Sequence, residues 1–157
     1  MFEDSVEGFI ARWRDHAADG VAFARAEGSP LLEVALGEAV VQLFERTGPY
    51  EAPTGPVRLI VHAVASAWTT TEDGPPVLAA VGPARLRVAG RVVEREAPLV
   101  VIDAGIPVVL GLERDDDGTA WPEVGGWLAC ETLAPAQAFV LRHGGDRRPP
   151  VAADEQV

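Results

Sequence analysis

The chain has 157 residues, 48% hydrophobic and 24% charged, and this composition predicts one folded domain rather than a disordered chain. Thirteen basic against 24 acidic residues give a net charge of −11, which repels nucleic acid and anionic lipid at long range. Every basic residue is an arginine, which we attribute to the codon composition of a bacterial-type source.

Cys130 is the only cysteine, so the sequence predicts no internal disulfide and favours a reducing compartment, the cytoplasm. The acidic N-terminus lacks the positive region of a secretory signal, and no apolar run reaches the length of a membrane span. We therefore expect a soluble protein with no membrane partner.

An amphipathic helix is predicted over residues 4–19, because apolar side chains recur there at helical spacing: Val6, Phe9, Ile10, Trp13 and Ala17. Asp4 is its expected N-cap, with Glu7 three residues later, and Gly20 its expected C-terminal stop. The apolar face is expected to pack on the chain's own sheet.

The sequence of residues 31–46 is compatible with either a helix or a β-hairpin. Ser29-Pro30 followed by Glu33 resembles a helix start. Alternating apolar residues around Gly37-Glu38 instead suit a β-hairpin with a two-residue turn, and this is the reading that we favour.

The rest of the chain to residue 142 has the rhythm of short strands separated by glycine and proline. Strands are predicted at 57–68, 77–81, 85–95, 99–103, 108–113, 127–133 and 138–142. We predict an α+β, mostly β domain over 1–143: the N-terminal helix, then a small antiparallel β-barrel. The strand rhythm of 84–142 resembles the OB-fold, and residues 144–157 are predicted to form a mobile tail.

The strand at 85–95 carries the clearest charge pattern. Alternation places four arginines on one face, with Leu86, Val88 and Val92 on the other; the four are Arg85, Arg87, Arg91 and Arg95. Four guanidinium groups on one strand can bind phosphate or an acidic peptide. The competing interpretation, which we favour, is a solvated face that forms cross-strand ion pairs.

Nucleic-acid binding on a barrel also needs aromatic side chains for base stacking. Trp127 begins an alternating strand, and its side chain is on the other face from Leu128 and Cys130. That face can be exposed, but a tryptophan in a strand more often packs against its neighbours. Trp68, Trp121 and Phe139 are the other candidates in the β-region.

Residues with catalytic potential are few. His62 shares a strand face with Arg58 and Ile60, where a structural role is the expected one, and Asp103 precedes a glycine turn. His16 and His143 lie at no metal-ligand spacing, and Cys130 has no neighbouring cation that would activate it. Asp115-Asp116-Asp117-Gly118 lacks the ligand spacing of an EF-hand and is interpreted as an acidic turn, and no phosphate-binding glycine loop occurs.

These patterns predict a non-catalytic binding module whose partner is another protein, with no cofactor and no metal. The tentative ligand-binding residues are Arg58, His62, Arg85, Arg87, Arg91, Arg95 and Trp127. Two alternatives stay open: single-stranded nucleic-acid binding through the arginine strand, and a small enzyme that uses His62, Asp103 or His143 as acid or base. The sequence indicates no oligomeric state.

Overall fold

The computed structural model describes residues 5–24, 29–47, 54–113 and 121–141. Strands make up 61% of these residues, so the fold is mostly β, as the sequence predicts. The helix α1 spans Val6–Trp13 and continues into a 3₁₀ turn at Arg14–His16. The ten strands are β1 Ala18–Ala22, β2 Leu31–Leu36, β3 Ala39–Glu45, β4 Gly55–Thr71, β5 Val77–Gly82, β6 Arg85–Glu96, β7 Leu99–Asp103, β8 Pro107–Gly111, β9 Trp127–Thr132 and β10 Gln137–Val140.

Five of the strands close a barrel. Around the ring the order is β4, β8, β7, β6 and β9, and β9 returns to β4. Four of these neighbouring pairs are antiparallel, but β4 and β8 are parallel. The barrel is therefore mixed, whereas the sequence predicts an antiparallel one. The predicted resemblance to an OB-fold covers only residues 84–142. One of the five barrel strands, β4, lies before that range, and an OB-like fold is not confirmed.

Strand β4 belongs to a second ring as well. Its first half pairs with β1 on one edge and with β10 on the other, while its second half pairs with β8 and β9. Strands β2 and β3 complete the second ring, because β1 pairs with β2, β2 with β3, and β3 with β10. One strand of 17 residues therefore joins the two halves of the fold.

The core has two parts. The larger cluster fills the interior and includes fully buried residues of both rings, such as Leu32, Leu59 and Leu86. The smaller cluster lies outside the barrel, beneath α1, where Phe9 stacks on Phe139 with ring centroids 4.4 Å apart. Burial of Phe9 and Trp13 confirms that the apolar helix face packs on the chain's own sheet.

The helix is shorter than predicted. Ser5 is its N-cap, accepting a hydrogen bond from the Gly8 amide at 3.0 Å, while Asp4 lies outside the described residues. Gly20 does not stop the helix but lies within β1, where a Cβ atom would meet the Ala35 carbonyl oxygen at 2.6 Å. The close approach of β1 to β2 therefore explains this glycine.

Residues 31–46 form the predicted hairpin, and Gly37, with φ of +61°, occupies the turn before Glu38. The predicted strands from 57 onwards are all present, with ends shifted by at most three residues. No helix in the part of the chain that the structure describes is long and apolar enough to cross a membrane.

Candidate functional site

Acidic side chains lie beside three of the four arginines of β6. Arg87 donates two hydrogen bonds to one Glu131 oxygen, at 2.8 and 3.2 Å, and Arg85 lies 3.6 Å from the other oxygen of the same carboxylate. Arg87 thereby holds the pKa of Glu131 below its usual range. Arg91 forms an ion pair with Asp73 at 2.9 Å and donates to the Gly125 carbonyl at 2.7 Å. Glu131 on β9 and Asp73 in the β4–β5 loop thus engage these cations internally.

Arg95 does not share the face of the other three. A β-bulge between Val92 and Glu94 shifts the register, so that Arg95 pairs with Val100, whose side chain belongs to the interior cluster. One extra residue reverses the facing of all that follows. The Arg95 guanidinium instead donates to the Pro122 carbonyl at 3.0 Å.

The remaining tentative residues lie apart from one another. Trp127 is 8% exposed and packs beneath Arg91, so it offers no open stacking surface. Arg58 is exposed on β4 beside β1. His62 is buried under α1, 4.8 Å from the Phe9 ring, with Nδ1 3.0 Å from the Val109 carbonyl oxygen. The structure does not bring these side chains together into one site.

No pair of the predicted acid–base residues is assembled in the described regions. Asp103 is exposed and accepts a hydrogen bond from the Gly105 amide at 3.0 Å, which is the turn-forming role of a carboxylate. His62 is instead buried beneath α1, against the ring of Phe9. His143 and the Asp115–Asp117 run fall outside the described residues, and the described side chains contain no cluster suited to a metal ion.

Cys130 is buried and pairs across strands with Val88. Burial, and to a smaller extent the negative charge of the neighbouring Glu131, raises the pKa of its thiol to about 12. The thiolate is therefore a minute fraction at neutral pH, which fits the inert thiol that the sequence predicts.

A cleft of ≈ 720 Å³ opens between the β2–β3 turn, β5 and the β7–β8 turn. Its lining residues are mostly small and aliphatic, backbone polar groups share the wall surface, and Glu38 is the single ionisable residue among the described residues that line it. The lining consists of 36–40, Pro76, 78–80 and 104–106. Its volume falls within the range of protein binding sites.

An apolar outer face adjoins the cleft. Val21 lies beside Ala35, and Ala35 lies beside Val40, in a row across β1, β2 and β3. Val21 is 46% and Val40 51% exposed, and Phe23, 41% exposed, lies in the next row beside Glu33. Val40 also lines the cleft, so the face and the cleft form one continuous surface, which we call the cleft surface.

The sequence contained one signal for this surface that the charge-based reading did not use. Residues 75–84, PPVLAAVGPA, contain no charged side chain, although a quarter of the chain is charged. A strand without charged residues at the edge of a sheet is open to pairing with another chain, so this stretch indicates a binding surface.

Searches against models of protein families, curated proteins and solved structures found no match to this chain, so neither fold nor function is assigned by likeness.

Proposed function

We propose that this chain is a non-catalytic binding module that holds a segment of another protein on its cleft surface. The observation that carries the proposal is the apolar cleft with exposed Val40 on its rim. Exposed contiguous apolar area beside a concavity is typical of protein-binding sites.

The outer face favours a protein over a small molecule. A small ligand would fill the cleft and leave Val21 and Phe23 in water, whereas a protein partner can cover the cleft and the face together.

We also propose the cytoplasm as the location of this protein, because the buried Cys130, which forms no disulfide, suits a reducing compartment.

The proposal is testable by displaying random twelve-residue peptides on phage and selecting on the immobilised protein. Ala80→Trp fills the cleft, since Ala80 is an exposed lining residue. Ala67→Trp is the matched control, because Ala67 is equally an exposed strand alanine but lies on β4, outside the lining. Enriched peptides should bind the wild type and Ala67→Trp and lose at least tenfold in affinity for Ala80→Trp.

Two results would contradict the proposal. One is that no peptide is enriched above the bare support; the other is that enriched peptides bind Ala80→Trp as well as they bind Ala67→Trp.

A further inference from the structure

We infer that the partner segment enters the cleft in extended form as an additional β-strand between β3 and β5, with apolar side chains and a basic residue beside Glu38. The inference rests on the proposed function and adds how the segment binds and what chemistry it carries. Its first support is the direction of the backbone groups that border the cleft.

Strand β5 has an open edge. Among the described strands it pairs with β6 alone. The amides of Leu86 and Val92 point toward β9, donating to Thr132 Oγ1 and the Gly126 carbonyl, so alternate residues of β6, such as Arg87, point toward β5. Arg87 pairs with Ala79. The backbone N–H and C=O groups of Leu78 and Ala80 therefore point away from β6, into the cleft.

Strand β3 offers the opposite edge. The Phe44 amide donates to the Ala136 carbonyl at 2.8 Å, so it points away from β2. By alternation, the backbone groups of Val40 and Gln42 point the same way. In the described part of the chain, β10 pairs with β3 only at Phe44 and Glu45, which leaves the earlier half of this edge without a strand partner.

Ala136 bridges the two edges at one end, and the cleft lies beyond this bridge. Ala136 joins them, because its carbonyl accepts from Phe44 and its amide donates to the Ala84 carbonyl, both at 2.8 Å. Leaving this bridge, β3 leads back to Ala39 and β5 to Leu78, and both residues line the cleft. An extended segment placed between them can form hydrogen bonds with both, as in recognition by strand addition.

The floor of the cleft selects the side chains. Ala80 pairs with Leu86, which is fully buried, yet Ala80 is exposed. Its inward-facing position therefore borders open space rather than packed core. Alternate side chains of an inserted strand would enter this space and contact Leu78 and Ile106, so they should be apolar.

Charge selects the flanking residue. Glu38 lies at the turn end of the cleft, and the described lining contains no cation. The chain as a whole has a net charge of −11, which attracts a basic segment and repels an acidic one. Lysine or arginine next to the apolar residues is thus the complementary chemistry.

The test uses three synthetic nine-residue peptides that alternate valine with threonine, isoleucine with serine, or leucine with threonine, each ending in arginine. Fluorescence anisotropy measures their affinity for the wild-type chain. Methylating the backbone nitrogens of either alternate set removes the hydrogen bonds that the peptide donates to one neighbouring strand and places methyl groups against that strand. Each methylated set should bind at least tenfold more weakly, since the segment pairs on both sides.

Two variants complete the test. Ala80→Pro deletes an N–H group that points into the cleft and spares the β5–β6 bonds, so it should weaken binding of the unmethylated peptide. Glu38→Arg should favour the same peptides ending in glutamate, while Glu123→Arg, an equal charge change at an exposed residue outside the lining, should leave the preference unchanged. Circular dichroism checks that each variant is folded, and the methylated peptides need no variant.

Several results would overturn the inference. Equal binding of methylated and unmethylated peptides rejects strand addition, and an effect of only one methylated set places the segment on a single edge. Indifference to Glu38→Arg rejects the basic residue. A dimer in sedimentation that Ala80→Pro abolishes makes a second copy the occupant, and competition by a peptide of residues 142–157 makes the occupant the chain's own tail. If none of the three peptides binds while phage selection succeeds, strand addition fails and the proposed function stands; if selection also fails, both fall.

Discussion

Gly90 shows how one residue fixes the shape of the barrel. It lies in the middle of β6, and a Cβ atom there would stand 2.0 Å from the Asp103 carbonyl oxygen. The backbones of β6 and β7 approach each other so closely that only glycine fits. This contact also positions the β7–β8 turn, whose residues 104–106 line the cleft.

Replacing Gly90 with alanine should lower the free energy of unfolding by about 3 kcal/mol, because the new methyl group meets backbone that cannot move aside. Urea denaturation followed by tryptophan fluorescence measures the change. Gly74→Ala is the control, since its nearest atom would be Trp127 Nε1 at 3.9 Å, an ordinary contact. Equal stability of the two variants would contradict the close approach.

Single residues also explain where the sequence misleads. Alternation correctly places Arg85, Arg87 and Arg91 outward, but nothing in VVER marks the bulge at Val93 that turns Arg95 the other way. A bulge follows from how two strands fit together, which a local pattern does not contain.

At the scale of elements, ion pairs attach α1 to β6. Arg12 forms an ion pair with Glu94 at 2.5 Å and a hydrogen bond with Glu96, and His16 lies 2.6 Å from Glu94. Arg12 and then His16 lower the pKa of Glu94 from its ordinary value of 4.5. The same helix covers Phe139 and His62, so these ion pairs help to keep α1 packed over the smaller hydrophobic cluster.

Glu94→Gln should therefore cost stability in a manner that depends on pH. Because the folded-state pKa of Glu94 is depressed, its contribution is present at neutral pH and is lost as the pH falls below about 4.5 through the folded value. The Glu94 side chain is 35% exposed, so solvent screening limits the effect to about 0.5 kcal/mol at pH 7.

Thermal unfolding of the wild type and Glu94→Gln between pH 3 and pH 7 measures this difference, using roughly one-unit steps that bracket the ordinary glutamate pKa. The gap should close toward the acid end. Glu72→Gln serves as control, because Glu72 is exposed and makes no ion pair with any residue described. A gap that is constant with pH would show that Glu94 acts by packing rather than by charge.

Elements differ in how far sequence predicts them. The hairpin at 31–46 and the strands from 57 onwards follow from local alternation and turn residues, and they are confirmed. The pattern predicts a helix to residue 19, but Ala18 and Asp19 begin β1, because alanines suit either structure and only contact with β4 decides. The parallel pairings of β4 with β8 and β3 with β10 join distant segments, which no local pattern reveals. The cleft depends on these pairings and was missed for that reason.

At the scale of the whole molecule, the charge distribution opposes binding of a nucleic acid. The net charge is −11, and Glu131 and Asp73 already engage Arg85, Arg87 and Arg91. Binding of a nucleic-acid strand would have to break these pairs against an unfavourable field.

We therefore expect no retardation of a fluorescent single-stranded DNA of about 20 nucleotides in gel mobility assays at low salt, where electrostatic binding is strongest. Glu131→Gln, which removes the carboxylate shared by Arg85 and Arg87, provides the comparison. A salt-sensitive shift with the wild type would revive the arginine strand as a nucleic-acid site.

The double role of β4 bears on how the chain is made. Its first half needs β10 to complete the second ring, and in the sequence β5 to β9, among them the other four barrel strands, lie between β4 and β10. During synthesis, β1 to β4 leave the ribosome before Gln137–Val140 are made. The second ring therefore lacks β10 at first, and the edges of β3 and β4 that pair with it are unpaired. Until that final strand arrives, the nascent chain exposes a site where chaperones or stray strands can attach.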